Sequence, residues 1–489
     1  MDRSFALPLW AGSALLLLLL GGCTSPFHRV ASTPCALTAP ADTSADWEPA
    51  DGPCRSNWAV RAPSHGINYV EIDEQGVLHD RAAAEDALAF AAALPSDGAR
   101  MAYVVVFVHG WHHDAAPGDS NVQAFHRALA SVRRWRPQAD VRGIYIGWRG
   151  ASMPVPLLRY LTFWERKNTS DEIGRGSLLE FLLRLERSVK PVPASSNRLV
   201  LIGHSFGASV AFNSLAHIYM QRFVDGLYAT TPGERFRGYG DLTVLINPAI
   251  EAMRYMPLQS AVEYYASREQ PPRLDFTQEK KPRLIILSSD GDLATHCTFP
   301  VARFFSTALE AHNRISARKS PDENGRYVEW NMDRDTVGNF IDFRTHWPLR
   351  IVTGEPAAAG ESRAPRQFWD CVREVAAGIV RTAPEAKPAV LEQCRTPSAA
   401  QLQELLRQES SDPDEPALAE AQSKLPAGLN IRGSYFPDSN IRVVRKRSPT
   451  RIPNSPYIVA GVGTEVIASH SGIGSSNLIC WINQLVDGE

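Results

Sequence analysis

Residues 199–209 read LVLIGHSFGAS, an apolar run that ends in a serine placed between two glycines. The run is typical of a buried strand, and the following residues 208–223 have the periodicity of a helix. Gly-x-Ser-x-Gly between a strand and a helix is typical of a nucleophile elbow, a strained turn that exposes the serine hydroxyl. Side chains at Gly203 and Gly207 would clash with the neighbouring backbone in such a turn. We therefore predict that Ser205 is a nucleophile rather than an ordinary turn residue.

Segments typical of strands and helices alternate along most of the chain. Continuous β-branched runs are typical of strands buried on both faces of a parallel sheet, and amphipathic segments are typical of its covering helices. Asn121 is a suitable N-cap for the first of these helices. We predict strands at 103–110, 141–148, 198–203, 242–249, 283–292 and 456–462, and helices at 121–135, 177–189, 208–223 and 477–486.

This order of elements predicts the α/β class, with a doubly wound, mostly parallel sheet flanked by helices. One domain is expected to span residues 61–489. Two polar stretches, at about 310–350 and 383–450, do not follow the alternation and are predicted to be surface insertions. The basic run at 442–447 is expected to be a solvated strand face.

The composition is that of an ordinary globular protein. The chain has 489 residues, of which 44% are hydrophobic and 21% are charged. Its formal net charge of −2 indicates neither a nucleic-acid partner nor electrostatic attraction to an anionic membrane. We therefore expect no nucleic acid among its partners.

The N-terminus has the features of an export signal. The apolar run FALPLWAGSALLLLLL is shorter than the ~20 residues of a spanning helix, and Gly21, Gly22 and Cys23 follow it. This ending resembles the lipobox of bacterial lipoproteins; an unlipidated export signal is the alternative. The resemblance implies a signal peptide at 1–22, a lipid-modified Cys23, and a Pro/Ala-rich tether over residues 23–60. It also implies anchoring in the bacterial cell envelope, with Thr24 favouring the outer membrane, facing the periplasm, over the inner membrane.

Six cysteines remain after Cys23, and an oxidising compartment would favour disulfides between them. Six cysteines allow 15 pairings, among which the sequence does not choose. The local pairs Cys35–Cys54 and Cys371–Cys394 are the expected ones. The chain has no CxxC motif, so neither thiol redox chemistry nor haem attachment is indicated.

A second motif, His109-Gly110-Trp111, ends the strand predicted at 103–110. In folds with a nucleophile elbow, the turn after such a strand often supplies one backbone N–H to an oxyanion hole, and the residue after the nucleophile supplies the other. These donors would be the N–H groups of Trp111 and Phe206. The nearby histidines lack the spacing of a metal site, so no metal ligand is predicted.

Seven segments of the chain resemble the α/β-hydrolase superfamily, and within it a group of often exported bacterial serine hydrolases with poorly defined substrates. They are VVVFVHGW, IYIGWRG, LTFWERKNTSDEIGRG, LVLIGHSFGASVAF, VLINPAIEA, LIILSSDGDLAT and VIASHSGI. The resemblance implies an α/β-hydrolase fold and a triad whose members follow the order serine, acid, histidine.

Two candidates compete for each remaining member of the triad. Asp292 is favoured over Asp290 because the acid usually lies a few residues beyond its strand. His470 is favoured over His346 because it follows a strand, lies in a loop of small residues and precedes the last helix. His204 is expected to pack beside the nucleophile, with its side chain directed away from that of Ser205.

These residues together predict a membrane-anchored serine hydrolase that cleaves carboxylic esters, lipid esters among them, through an acyl-enzyme. Neither a metal nor an organic cofactor is expected. A thioesterase, an amidase or an acyltransferase on the same fold is one alternative, and a catalytically silent lipoprotein that binds envelope partners is another. The aromatic residues of 253–276 are expected either to pack in the core or to form a lid or acyl pocket.

Overall fold

A computed structural model gives the fold. It describes residues 59–61, 64–95, 98–116, 118–150, 163–192, 195–229, 236–272, 281–307, 314–315, 327–351, 369, 371–373, 391, 394, 433–436, 439–444 and 455–487. The predicted signal peptide, the lipidated Cys23, nearly all of the tether and the pair Cys35–Cys54 lie outside these residues.

The described strands, in chain order, are β1 (Ala59–Arg61), β2 (Gly66–Ile72), β3 (Met101–Val108), β4 (Ala139–Trp148), β5 (Arg198–His204), β6 (Leu242–Ile246), β7 (Leu284–Ser289), β8 (Arg314–Ile315), β9 (Tyr327–Val328), β10 (His346–Ile351), β11 (Gly433–Phe436), β12 (Ile441–Val444) and β13 (Tyr457–Val462). Eleven of them form one sheet in the order β1-β2-β4-β3-β5-β6-β7-β13-β10-β12-β11. The eight strands from β2 to β10 in this order are all parallel. Antiparallel strands are added at both edges, β1 on β2 and β12 with β11 on β10.

The described helices are α1 (Arg81–Ala92), α2 (Ser120–Trp135), α3 (Phe163–Ile173), α4 (Ser177–Val189), α5 (Phe206–Tyr228), α6 (Ala252–Ala266), α7 (Phe299–Thr307), α8 (Glu329–Arg334) and α9 (Ser476–Asp487). A π-helix at Ala294–Thr298 precedes α7, and a 3₁₀ turn covers Ile341–Phe343. Among the described residues, no helix combines the length and apolar character needed to cross a membrane.

Helices cover both faces of the sheet. Val104, Val106 and Val108 of β3 belong to one apolar cluster, which contains residues of α1, α4, α5 and α6. Tyr103 and Phe107 alternate with them and belong to a second cluster, which contains residues of α2 and α9. Burying one such aliphatic side chain contributes about 1.5–3 kcal/mol, so the two-sided burial of β3 accounts for its unbroken apolar sequence. The predicted α/β class with a mostly parallel sheet is confirmed.

Several elements differ from the sequence prediction. Helix α2 begins one residue earlier, and its cap is Asp119, whose carboxylate accepts the N–H of Asn121; the prediction of Asn121 as the cap was wrong. The ranges predicted as insertions contribute β10, β11 and β12 to one edge of the main sheet. The basic run at 442–447 begins in β12, and its last residues lie outside the described part of the chain. Helix α6 buries Tyr255 but leaves Tyr264 more than half exposed.

Two disulfides are described, Cys297–Cys371 and Cys394–Cys480. The predicted pair Cys371–Cys394 was therefore wrong. Cys371 instead packs with Cys297 and Val301 in a small apolar cluster, and Cys480 is buried in α9. Pairing these cysteines by their closeness in sequence was wrong because a fold built on a parallel sheet brings together chain segments that are far apart in sequence.

Candidate active site

Ser205 lies in a sharp turn between β5 and α5. Its backbone has φ 56° and ψ −122°, a left-handed conformation that a non-glycine residue rarely adopts. Its N–H donates to the carbonyl oxygen of Ile246 at 3.0 Å, and its own carbonyl oxygen accepts the N–H of Ala249 at 3.2 Å. These bonds hold the turn against the end of β6, so the strained conformation is fixed by the sheet beside it.

Three glycines surround Ser205 where no side chain would fit. A Cβ on Gly203 would lie 2.7 Å from the Cα of Ala208, and one on Gly110 would lie 2.9 Å from the Cβ of Ser205. A Cβ on Gly207 would overlap the carbonyl oxygens that end β3. The predicted close approach at both glycines of the elbow is confirmed.

The structure brings together the three residues predicted as a triad. Ser205 Oγ lies 2.8 Å from His470 Nε2, and His470 Nδ1 lies 2.9 Å from Asp292 Oδ1. The three residues follow the carboxyl ends of β5, β13 and β7, respectively. Because parallel strands present their carboxyl ends at one edge, residues far apart in sequence meet there.

The carboxylate of Asp292 is fully buried and held from two sides. Its Oδ1 accepts the N–H groups of Ala294 and Thr295 at 2.9 and 3.2 Å, and its Oδ2 accepts the hydroxyl of Thr295 at 2.6 Å. Burial acts to raise the pKa of Asp292, but His470 and the hydroxyl of Thr295 outweigh it and lower that pKa to about 2. Asp292 is therefore an anion at neutral pH, and it accepts the first two N–H groups of the π-helix as well as facing the histidine.

The competing candidates lie elsewhere. Asp290 forms an ion pair with Arg350, at 3.1 Å between Oδ2 and Nη2. His346 begins β10, where it is buried and its Nδ1 lies 2.9 Å from the hydroxyl oxygen of Thr345. His204 is buried beside the elbow, but neither of its ring nitrogens belongs to the Ser205–His470–Asp292 chain of contacts.

The turn at 109–111 is held by a buried histidine. His109 Nδ1 lies 2.9 Å from the carbonyl oxygen of Gly110, and the N–H of Trp148 donates to His109 Nε2 at 3.0 Å. Burial lowers the pKa of His109 to about 4, so the ring is neutral at pH 7. Its Nδ1 therefore carries the proton and donates to Gly110, because Nε2 accepts from Trp148. This role of His109 was not predicted from the sequence, because it depends on a contact between the distant HGW and IGW motifs.

The two predicted oxyanion donors belong to turns that lie side by side. The side-chain rings of Trp111 and Phe206 have centroids 5.7 Å apart, and Phe163 of α3 packs on both, at 5.8 and 5.4 Å. Phe299 of α7 adds a fourth ring, 5.8 Å from Phe163. Trp111, Phe163, Phe206 and Phe299 thus form an aromatic cluster, of which Phe206 directly follows Ser205.

His113, which lies just after this turn, has structural partners. His113 Nδ1 lies 3.1 Å from the carboxylate of Asp119, and its Nε2 lies 3.0 Å from Asn121 Nδ2. Within the described ranges, no group of three or more His, Cys, Asp or Glu side chains is arranged to hold a metal ion.

No protein-family model matches this chain, and no curated protein is significantly similar to it in sequence.

The replacement Gly207→Ala should destabilise the protein by about 3 kcal/mol, because the new methyl group would overlap backbone oxygens that cannot move aside. Urea unfolding followed by circular dichroism measures this free energy. Gly474→Ala is the matched control, since a Cβ there would meet only the methyl group of Ala124, at 3.9 Å. Equal free energies of unfolding for the two variants would contradict the close approach at the elbow.

Proposed function

We propose that this chain is a serine hydrolase with an α/β-hydrolase fold that cleaves carboxylic esters. One observation carries the proposal: Ser205 Oγ, the two ring nitrogens of His470 and the carboxylate of Asp292 form a continuous chain with steps of 2.8 and 2.9 Å. The strained backbone of Ser205 between a parallel strand and a helix supports the assignment of the fold.

In the proposed reaction, Ser205 Oγ attacks the ester carbonyl while His470 Nε2 accepts its proton. His470 then protonates the leaving alcohol, and an acyl-enzyme remains on Ser205. A water molecule, deprotonated by the same histidine, releases the acid. Asp292 orients the imidazole with Nδ1 protonated and stabilises the imidazolium, and with a pKa of about 2 it stays ionised throughout.

The negative charge that develops on the carbonyl oxygen needs donors that are already in place. We assign this role to the backbone N–H groups of Trp111 and Phe206, because Gly110 contacts Ser205 directly and the start of α5 packs on the end of β3. The loss of one such donor typically costs about 10²–10³-fold in kcat. The neutral ring of His109 would keep the Trp111 turn in its conformation.

Trp111, which is only partly buried whereas Phe163, Phe206 and Phe299 belong to the core, supports an ester with an apolar group as the substrate. Aromatic rings offer a large apolar surface and bind acyl or alkyl groups by burying them. Ser-His-Asp chemistry needs no metal or organic cofactor. We further propose that the protein acts at a bacterial membrane surface, held by lipid on Cys23, where acyl esters are concentrated.

A fluorophosphonate probe should label the wild-type protein and should not label Ser205→Ala, because the probe reacts only with an activated serine. Hydrolysis of p-nitrophenyl butyrate should fall by at least about 10⁴-fold in that variant. Ser196→Ala, at an exposed serine, is the matched control and should keep both activities. A folded wild-type protein that neither reacts with the probe nor hydrolyses the ester would overturn the proposed function.

The variant Asp292→Asn should lose about 10³–10⁴-fold in kcat at neutral pH, because an amide can no longer hold His470 with a proton on Nδ1. Asp290→Asn should stay near the wild-type rate, since Asp290 pairs with Arg350 and not with the histidine. Steady-state hydrolysis of p-nitrophenyl butyrate measures both. If the large loss were found in Asp290→Asn instead, the assignment of the acid would be wrong.

The full-length protein, produced in a bacterium fed with an alkyne-bearing palmitate, should incorporate the label and sediment with membranes. Cys23→Ser should do neither, because the thioether to diacylglycerol forms at that cysteine. Cys35→Ser is the control for loss of a cysteine outside the lipobox. Equal incorporation in Cys23→Ser and wild type would exclude the proposed anchor.

A further inference from the structure

The backbone carbonyl of His470 accepts two hydrogen bonds from buried side chains. His204 Nε2 lies 2.7 Å from this oxygen, and Asn247 Nδ2 lies 2.9 Å from it. Both side chains are almost completely buried, and they come from the carboxyl ends of β5 and β6, respectively. The two donors therefore fix the backbone of the residue whose ring contacts the nucleophile.

Asn247 is itself held in one orientation. It has a left-handed backbone with φ 47°, its N–H donates to the carbonyl oxygen of Leu287 at 2.7 Å, and its Oδ1 accepts the N–H of Ser289 at 2.8 Å. Since Oδ1 accepts from the backbone, Nδ2 must be the atom that faces the loop, where it also lies 3.3 Å from the carbonyl oxygen of Ser469.

The ionisation state of His204 is also consistent with a proton on Nε2 that is donated to the carbonyl oxygen of His470. Burial, with His470 as the next cause, lowers the pKa of His204 well below its ordinary value, so the ring is neutral. A neutral ring that donates from Nε2 has an unprotonated Nδ1. That nitrogen is buried without a hydrogen-bond partner. A Cβ on Gly110 would lie 2.9 Å from it, so the ring packs tightly against the turn at 109–111. This packing leaves little room for a proton on Nδ1.

We propose that His204 and Asn247 form a clamp of two positioning residues that holds the backbone of His470, so that its imidazole keeps its place between Ser205 and Asp292. This inference rests on the proposed function, because it assigns His470 as the general base. The need for a clamp is physical: His470 lies between β13 and α9 in a segment without helix or strand, so no ladder of backbone hydrogen bonds sets its position.

The clamp also joins the nucleophile and the base through adjacent residues. His204 directly precedes Ser205, and its ring centroid is 4.9 Å from that of His470. A shift of the elbow would therefore move the support of the histidine at the same time. A displacement of reacting groups by about 1 Å can cost about 10²-fold in rate, so the loss of a donor here should act on kcat.

The test compares two replacements of His204. His204→Met keeps an apolar side chain of similar length but has no donor, whereas His204→Gln places an amide N–H close to the position of Nε2. On p-nitrophenyl butyrate we expect His204→Met to lose about 10–10²-fold in kcat with KM changed less than about twofold, and His204→Gln to recover most of the loss. His217→Met, at an exposed histidine of α5, is the matched control.

Asn247→Gly is the second variant, because glycine tolerates the left-handed backbone and removes the donor to the carbonyl of His470, together with the amide contacts to Ser469 and Ser289. It should likewise lower kcat while leaving KM nearly unchanged. In His204→Met and in Asn247→Gly, each of which lacks one of the two donors, the low-field proton signal of His470 Nδ1–H should broaden or shift. These measurements decide the proposal even if His204→Met does not fold. A folded donor-free variant with wild-type kcat, or equal losses in His204→Met and His204→Gln, would overturn the clamp. An unreactive wild-type protein would instead overturn the proposed function.

Discussion

The constraint on which the site depends is the close approach of the β5–α5 turn to the end of β3. Gly207 at the start of α5 lies against the last carbonyl oxygens of β3, and Gly110 lies against the side chain of Ser205. Because no side chain fits at either glycine, the turn cannot move away from the strand without opening a gap in the packing. The left-handed backbone of Ser205 is sustained by this contact and by the hydrogen bonds to β6.

Burial then divides the ionisable groups around the turn into two kinds. His109 and His204 lie in the packed layer, where burial lowers their pKa, and both serve as neutral hydrogen-bonding groups. Asp292 is equally buried but keeps its charge, because three hydrogen bonds and the facing His470 stabilise the anion. Of the three histidines, His470 alone has both a carboxylate and a hydroxyl beside its ring nitrogens, so in the proposed reaction only this ring can transfer the proton.

Local patterns predicted much of this arrangement. Helix α4 has the predicted bounds, and β5 is one residue longer than predicted. The tight elbow was predictable from the spacing of its glycines. Contacts between distant segments were not predictable in the same way: the bond from Trp148 to His109, the pairing of Cys480 with Cys394, and the donors to the carbonyl of His470. The strand that begins at His346 was missed because it is short and contains a proline, which strands tolerate at bulges; the register of β10 on β13 shifts between His346 and Leu349.

Asp292 and His470 are each followed along the chain by a helical element that a disulfide ties to a remote segment. Asp292 leads into the π-helix that contains Cys297, which is bonded to Cys371, and His470 leads into α9, which contains Cys480. A cross-link between distant residues reduces the freedom of the unfolded chain, by about 3–5 kcal/mol for long loops in the chain-entropy account. The segments that carry Asp292 and His470 are thereby fixed at both ends, by a strand before each residue and by a cross-linked helical element after it. Such bonds persist in an oxidising compartment, which is where the export signal that we propose would send the protein.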